Sequence, residues 1–85
     1  MIINTTTKEF SKLGARGRKK IFEKFFGHKV NEIVSGGIVN FKCGEFIVRH
    51  EEYAYSKLRI STTEDGYIHI KIWNYQTEQW QEEAE

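Results

Sequence analysis

Among 85 residues there is no proline, a single cysteine, only two leucines and three alanines. Each scarcity excludes something. Cys43 alone cannot form an internal disulfide, whereas a secreted domain this small usually carries several. No stretch reaches the roughly eighteen consecutive apolar residues that a membrane-spanning helix requires, so no membrane partner is expected. The opening residues, MIINTTTKEF, lack the charged-then-apolar pattern of a secretory leader. The expected compartment is therefore the cytoplasm, a host's if the source is a virus. What fills the composition instead is ten Ile, four Val, six Phe, four Tyr and two Trp, the residues that favour strands. A chain of this length buries only about 60% of the surface its unfolded form exposes, enough for one modest core. There is no repeat, linker or low-complexity run, and residues 1–85 read as one domain.

The first four residues are short and β-branched, an expected strand. Thr6 and Glu9 have the spacing of a capping box, which starts a helix by satisfying free amides from both sides. From Thr7 to Phe26 the apolar residues recur at helical spacing, with Phe10, Leu13, Ile21 and Phe25 on one side and Phe22 at its shoulder. Gly14 and Gly17 fall within that stripe, and two glycines cost a helix about 2 kcal/mol relative to alanine. A break or kink near residues 14–17 is expected, with Gly27 as the left-handed cap at the far end.

Everything after Gly27 reads as strand. Lys29 to Val34 and Ile38 to Cys43 flank Ser35-Gly36-Gly37, which predicts a hairpin turn there. Glu45 to His50 alternates, Glu51 to Ser56 is the expected long connection or bulge, and Leu58 to Thr63 and Tyr67 to Tyr75 flank Glu64-Asp65-Gly66, a second hairpin. Thr77 to Glu85 is polar and acidic around Trp80, and reads as a short helix or a loose tail. The fold class is α+β: an N-terminal strand and a broken helix on one face of a four- to five-stranded antiparallel meander. That order of elements resembles the cystatin-like arrangement, in which a sheet grips a helix. The resemblance is one of topology and implies no function.

The familiar enzyme signatures are missing. There is no GxSxG, no GxxxxGK[ST], no HExxH and no GxGxxG after a strand. Cys43 lies in the alternating run Val39 to Cys43 and is expected to be a small buried side chain rather than a nucleophile. His28, His50 and His69 have no zinc-like spacing, so neither a metal nor another cofactor is expected. The candidates for acid–base work are His50, beside Glu51 and Glu52, and His69, and nothing near them suggests an oxyanion hole. The chain is expected not to be an enzyme.

Two surfaces remain. The first is basic: Lys8, Lys12, Arg16, Arg18, Lys19, Lys20 and Lys24 face only Glu9 and Glu23 as local acids. Lys12, Arg16, Arg18, Lys19 and Lys20 are the candidates for an anionic partner, by counterion release on phosphates or by complementarity to an acidic protein. The second is the strand Tyr67 to Tyr75. Alternation sends Ile68, Ile70 and Ile72 to the helix and Tyr67, His69, Lys71, Trp73 and Tyr75 outward, with Arg59 beside them from the paired strand. Aromatic residues interleaved with cations suit protein hot spots, and also the stacking of single-stranded nucleic acid. The competing expectation is that the acidic tail folds back, Trp80 covering Trp73 and Tyr75 while Glu82 and Glu83 meet Lys71 or Arg59.

The net charge of +1 is a cancellation. Residues 1–50 hold ten Lys and Arg against four acids, and residues 51–85 hold three against eight. With no overall surplus of positive charge, a larger protein or nucleoprotein complex is the expected partner. Nucleic acid is the alternative, and a homodimer is open. Small domains of this profile include many phage and mobile-element proteins that inhibit host complexes, anti-CRISPR proteins among them. An inhibitor or modulator of that kind is the expected function.

Overall fold

The computed structural model describes residues 1–40, 42–50 and 54–83. Its elements are β1 (Ile2–Thr6), α1 (Thr7–Lys12), α2 (Ala15–Phe26), β2 (Glu32–Val39), β3 (Cys43–Arg49), β4 (Tyr55–Thr62), β5 (Tyr67–Asn74) and β6 (Gln79–Gln81). The capping box closes as the spacing predicts. The Glu9 amide donates to Thr6 Oγ1 at 3.0 Å, and the Thr6 amide donates to Glu9 Oε1 at 3.2 Å. The helical run then breaks at Leu13 and Gly14, both extended. Gly27 ends α2 with φ 76°, and its amide donates to the Glu23 carbonyl at 2.8 Å.

All strand pairings are antiparallel, in the order β1-β5-β4-β3-β2, with β6 also on β5. β2 to β5 form a meander with each strand beside its successor. β1 crosses to the far side and pairs with β5, Ile2 opposite His69 and Ile3 opposite Ile68. β6 runs along the same edge of β5 further on, Trp80 opposite Trp73. At the seam between β1 and β6 the Met1 ammonium donates to the carbonyls of Ile70 (2.9 Å) and Glu82 (2.8 Å). The α+β class holds, with an open sheet of six strands. The pairing of β1 with β5 does not establish the cystatin-like arrangement.

The core lies between the helices and the inner face of the sheet. Phe10, Ile21, Phe22 and Phe25 from the helices meet Phe46, Val48, Leu58, Ile60, Ile68 and Ile70 from β3, β4 and β5. Phe10, Phe22 and Phe46 form a triangle of rings with centroids 5.3–5.8 Å apart, tilted or edge-on. Each such ring, fully withdrawn from water, contributes about 1.5–3 kcal/mol.

Four expectations need correction. Ser35, Gly36 and Gly37 do not form a turn: they lie inside β2, opposite Ile47, Phe46 and Glu45. The chain reverses after Val39, where Asn40 takes φ 55° and the Lys42 amide donates to the Val39 carbonyl. Gly36 serves close approach instead, since a Cβ there would meet the backbone of Glu45 and Phe46. Cys43 is exposed, because it stands opposite Val39 on the outer face of the sheet, away from the helices. Its direction follows β3, whose inward residues are Phe46 and Val48. The connection expected over Glu51 to Ser56 is shorter at its end, since Tyr55 and Ser56 already belong to β4. Glu51 and Glu52 lie outside the described residues.

The tail is neither helix nor loose at its start. Asn74 Oδ1 accepts from the amides of Gln76 (2.9 Å) and Thr77 (3.2 Å), Glu78 takes φ 54°, and β6 returns against β5. Ala84 and Glu85 lie outside the described residues.

Candidate functional site

Strand phase sorts the side chains before any function is considered. With Phe46, Val48, Leu58, Ile60, Ile68 and Ile70 turned inward, β3 presents Glu45, Ile47 and Arg49 on the outer face. β4 presents Tyr55, Lys57 and Arg59, and β5 presents Tyr67, His69, Lys71 and Trp73. Both helices pack on the opposite face. Ile2, Val39, Tyr55, Arg59 and Tyr67 are left exposed on this one.

The middle of the outer face is a connected network. Glu45 accepts from Arg59 Nη2 at 3.1 Å and pairs with Lys57 Nζ at 3.4 Å. These two cations, Arg59 first, hold the Glu45 carboxyl below the usual carboxylate range. The Arg59 guanidinium lies 4.1 Å from the centroid of the Trp80 ring, with Lys57 Nζ at 5.8 Å from the same ring. Trp80 in turn meets Trp73 edge-on, centroids 5.2 Å apart. At the flanks Glu32 bonds Arg49 (3.1 Å), and His69 Nε2 lies 2.8 Å from Glu82 Oε1.

The sequence expectations therefore divide. Tyr67, His69, Lys71, Trp73 and Arg59 do share one face. Tyr75 lies beyond the strand and is two-thirds exposed, so Trp80 covers Trp73 and not Tyr75. Glu82 meets His69, not Lys71 or Arg59. Trp80 lies against Trp73 as the competing expectation had it, and Glu45 is the member of the network that sequence reasoning left out of the face. Glu45 was findable, since it alternates with the inward Phe46.

The helix layer differs in kind. Arg18 points inward: Nη2 donates to the Ser11 carbonyl (3.0 Å), Nε donates to the Phe10 carbonyl (3.3 Å), and the guanidinium sits 5.2 Å from the Phe10 ring. It caps the end of α1, the position where a cation complements free carbonyls. Lys19 Nζ is likewise engaged, on the Asn31 carbonyl at 3.0 Å. Lys12, Arg16 and Lys20 are exposed. Of the five helix cations expected to meet an anion, these three are the ones turned to solvent, with no hydrogen bond or ion pair among the described residues.

His28 and His50 approach each other through Phe26. The Phe26 and His50 rings stack with centroids 4.7 Å apart, and the His28 ring lies 5.3 Å from that of His50. His50 Nε2 is 2.8 Å from Ser56 Oγ. His69 sits across the sheet on β5. Among the described residues no three His, Cys, Asp or Glu side chains gather in a group able to hold a metal. Among the same residues no helix is long and apolar enough to cross a membrane.

With this geometry in hand, comparison gives one result. No family model, no curated protein and no solved structure matches the chain.

Proposed function

We propose that the chain is a non-catalytic protein-binding module that docks through the outer face of its sheet and inhibits or modulates a larger complex. The observation that carries this reading is the Trp73–Trp80–Arg59–Glu45 network at the centre of the face, bordered by exposed Tyr55, Tyr67 and Ile2. Trp, Tyr and Arg are the residues that dominate protein hot spots. Here they are held in place before any partner arrives, which lowers the ordering cost of association.

Base stacking on this face is the weaker reading. The Arg59 guanidinium already lies on the Trp80 ring, Trp73 meets Trp80 edge-on, and Glu45 and Glu82 would repel phosphates. A small inhibitor of the phage or mobile-element kind, anti-CRISPR-like in action and cytoplasmic, fits the same surface. The element order that resembles the cystatin-like arrangement is compatible with such a scaffold and carries none of the argument.

The test is site-specific photocrosslinking in the cells that make the protein. A crosslinking residue at Tyr55 or Tyr67 should capture one discrete protein, and the same residue at Lys12 or Lys24 should not capture it. Capture only from the helix positions, or from none, would refute docking by the sheet face.

A further inference from the structure

The charges of the molecule separate by layer. Residues 7–29, which form the helix layer, hold eight Lys and Arg against two Glu, and residues 30–85 hold five against ten acids. The ion pairs among the described residues are Glu32–Arg49, Glu45–Lys57, Glu45–Arg59 and His69–Glu82, and all lie between sheet residues except that Glu82 follows the end of β6. In the helix layer both acids are turned to backbone amides, Glu9 to Thr6 and Glu23 Oε2 to Val30 at 2.9 Å. Lys8, Lys12, Arg16, Lys20, Lys24 and Lys29 are all exposed, and none has a hydrogen bond or ion pair among the described residues.

From this we infer a second binding surface: the helix layer takes the phosphate backbone of a nucleic acid, without reading its sequence. Two observations choose this occupant over an acidic protein. First, none of the exposed residues of α1 and α2 is Phe, Tyr, Trp, Leu, Ile or Met. The bulky apolar residues of α2 are buried or half-buried, so the layer lacks the apolar anchor that gives a protein interface its affinity. Phosphate binding needs no such anchor, because release of condensed counterions supplies the free energy.

Second, Arg16, Lys20 and Lys24 stand on successive turns of α2, about 6 Å apart along the axis. The row ends in an open depression lined by Lys20, Glu23, Lys24, Gly27, His28 and Lys29. A linear row of unpaired cations matches a linear polyanion. The near-neutral total charge does not oppose this, since among the described residues Glu32 and Glu45 lie in the sheet and Glu64, Asp65, Glu78, Glu82 and Glu83 lie in the turns or just past its last strand.

The surface is separate from the sheet face, and its test does not depend on that reading. The probe is a labelled 20-base-pair DNA duplex of random sequence, followed by fluorescence polarisation from 50 to 200 mM NaCl. With four to six phosphates neutralised, affinity should fall about a hundred- to a thousandfold across that range. R16Q/K20Q/K24Q should weaken binding at least tenfold at 50 mM and make the salt slope shallower by about 2–3, while remaining folded by circular dichroism. R16K/K20R/K24R, which keeps the charge, should bind as the parent does, and so should the sheet-face variant Tyr55→Ala. The proposal is overturned by absence of binding at 50 mM, by full binding in the glutamine variant, or by loss of binding in Tyr55→Ala. Polyglutamate binding as tightly as the duplex would also overturn it and make an acidic protein the occupant.

Discussion

The guanidinium carbon of Arg59 lies 4.1 Å from the centroid of the Trp80 ring, while its Nη2 donates to Glu45 Oε2 at 3.1 Å. One side chain on β4 thus ties a carboxylate on β3 to an indole on β6. β6 is only three residues long, and its packing depends on what Trp80 rests against.

The Arg59–Trp80 contact should therefore be measurable as a coupling. A double-mutant cycle with Arg59→Ala and Trp80→Ala, read by urea unfolding, should give a coupling of about 0.5–1 kcal/mol, as for a partly exposed cation over an aromatic ring. Amide exchange at Gln79–Gln81 should accelerate in both single variants. Additive effects of the two substitutions would show that the contact contributes nothing.

Arg18 should behave as a structural residue although it sits in a basic run. Its two bonds to the Phe10 and Ser11 carbonyls close the end of α1. Arg18→Ala should cost about 1.5–3 kcal/mol, the range for hydrogen bonds made by a charged group. Arg18→Lys should recover only part of this, since an ammonium cannot span both carbonyls in the same plane. An unchanged unfolding midpoint in Arg18→Ala would contradict the assignment.

Two glycines on facing strands should respond oppositely. A Cβ at Gly44 would run into the Gly37 carbonyl, whereas a Cβ at Gly37 would meet nothing within 4 Å. Gly44→Ala should destabilise by about 1–3 kcal/mol or more, by overpacking against backbone. Gly37→Ala should stay within about 1 kcal/mol of the parent. Thermal melts of the two variants decide it, and equal losses would mean that β2 and β3 are not paired in this register.

Acid should weaken the outer face through Glu45. Its carboxyl is held below the ordinary 4.5 by hydrogen bonding to Arg59, then by Lys57. The folded state therefore binds fewer protons than the unfolded chain, and the associated stability is present above about 4.5 and is lost as pH falls through the lower folded value. Glu9, lowered by its bonds to Thr6, adds in the same direction. The urea midpoints of the parent and Glu45→Gln should differ more at pH 7 than at pH 3. A pH-independent difference would remove Glu45 from the linkage.

The core was legible because alternation and helical spacing are local properties. Ile68, Ile70, Leu58 and Ile60 on one side of a strand pair leave no doubt about which face is inward. The capping pair Thr6 and Glu9 and the cap at Gly27 were legible for the same reason. The Gly36–Gly37 signal misled because glycine serves tight turns and close backbone approach alike, and only the partner strand distinguishes them. Cys43 misled because the run Val39 to Cys43 reads as an inward apolar set, whereas Val39 and Cys43 stand opposite each other on the outer face. The inward aim of Arg18 depends on where α1 ends, and the return of Trp80 on a turn set by Asn74. Neither carries a periodic signal. The outer face was partly legible for this reason: its strand residues were visible, and Trp80 over Trp73 was one of two competing expectations, while the bond of Glu82 to His69 was not foreseen.

The seam at Met1 has a consequence for the order in which the molecule assembles. The Met1 ammonium reaches a carbonyl 69 residues away and another 81 residues away, and Ile2 and Ile3 pair with His69 and Ile68 on β5. A chain emerging from the ribosome can form α2 and pair β2 with β3 while its first strand still has nothing to join. That strand waits for β5, and the edge it shares with β6 closes last. Contacts this distant in sequence slow folding. A strand early in this sequence is therefore completed only by one near its end.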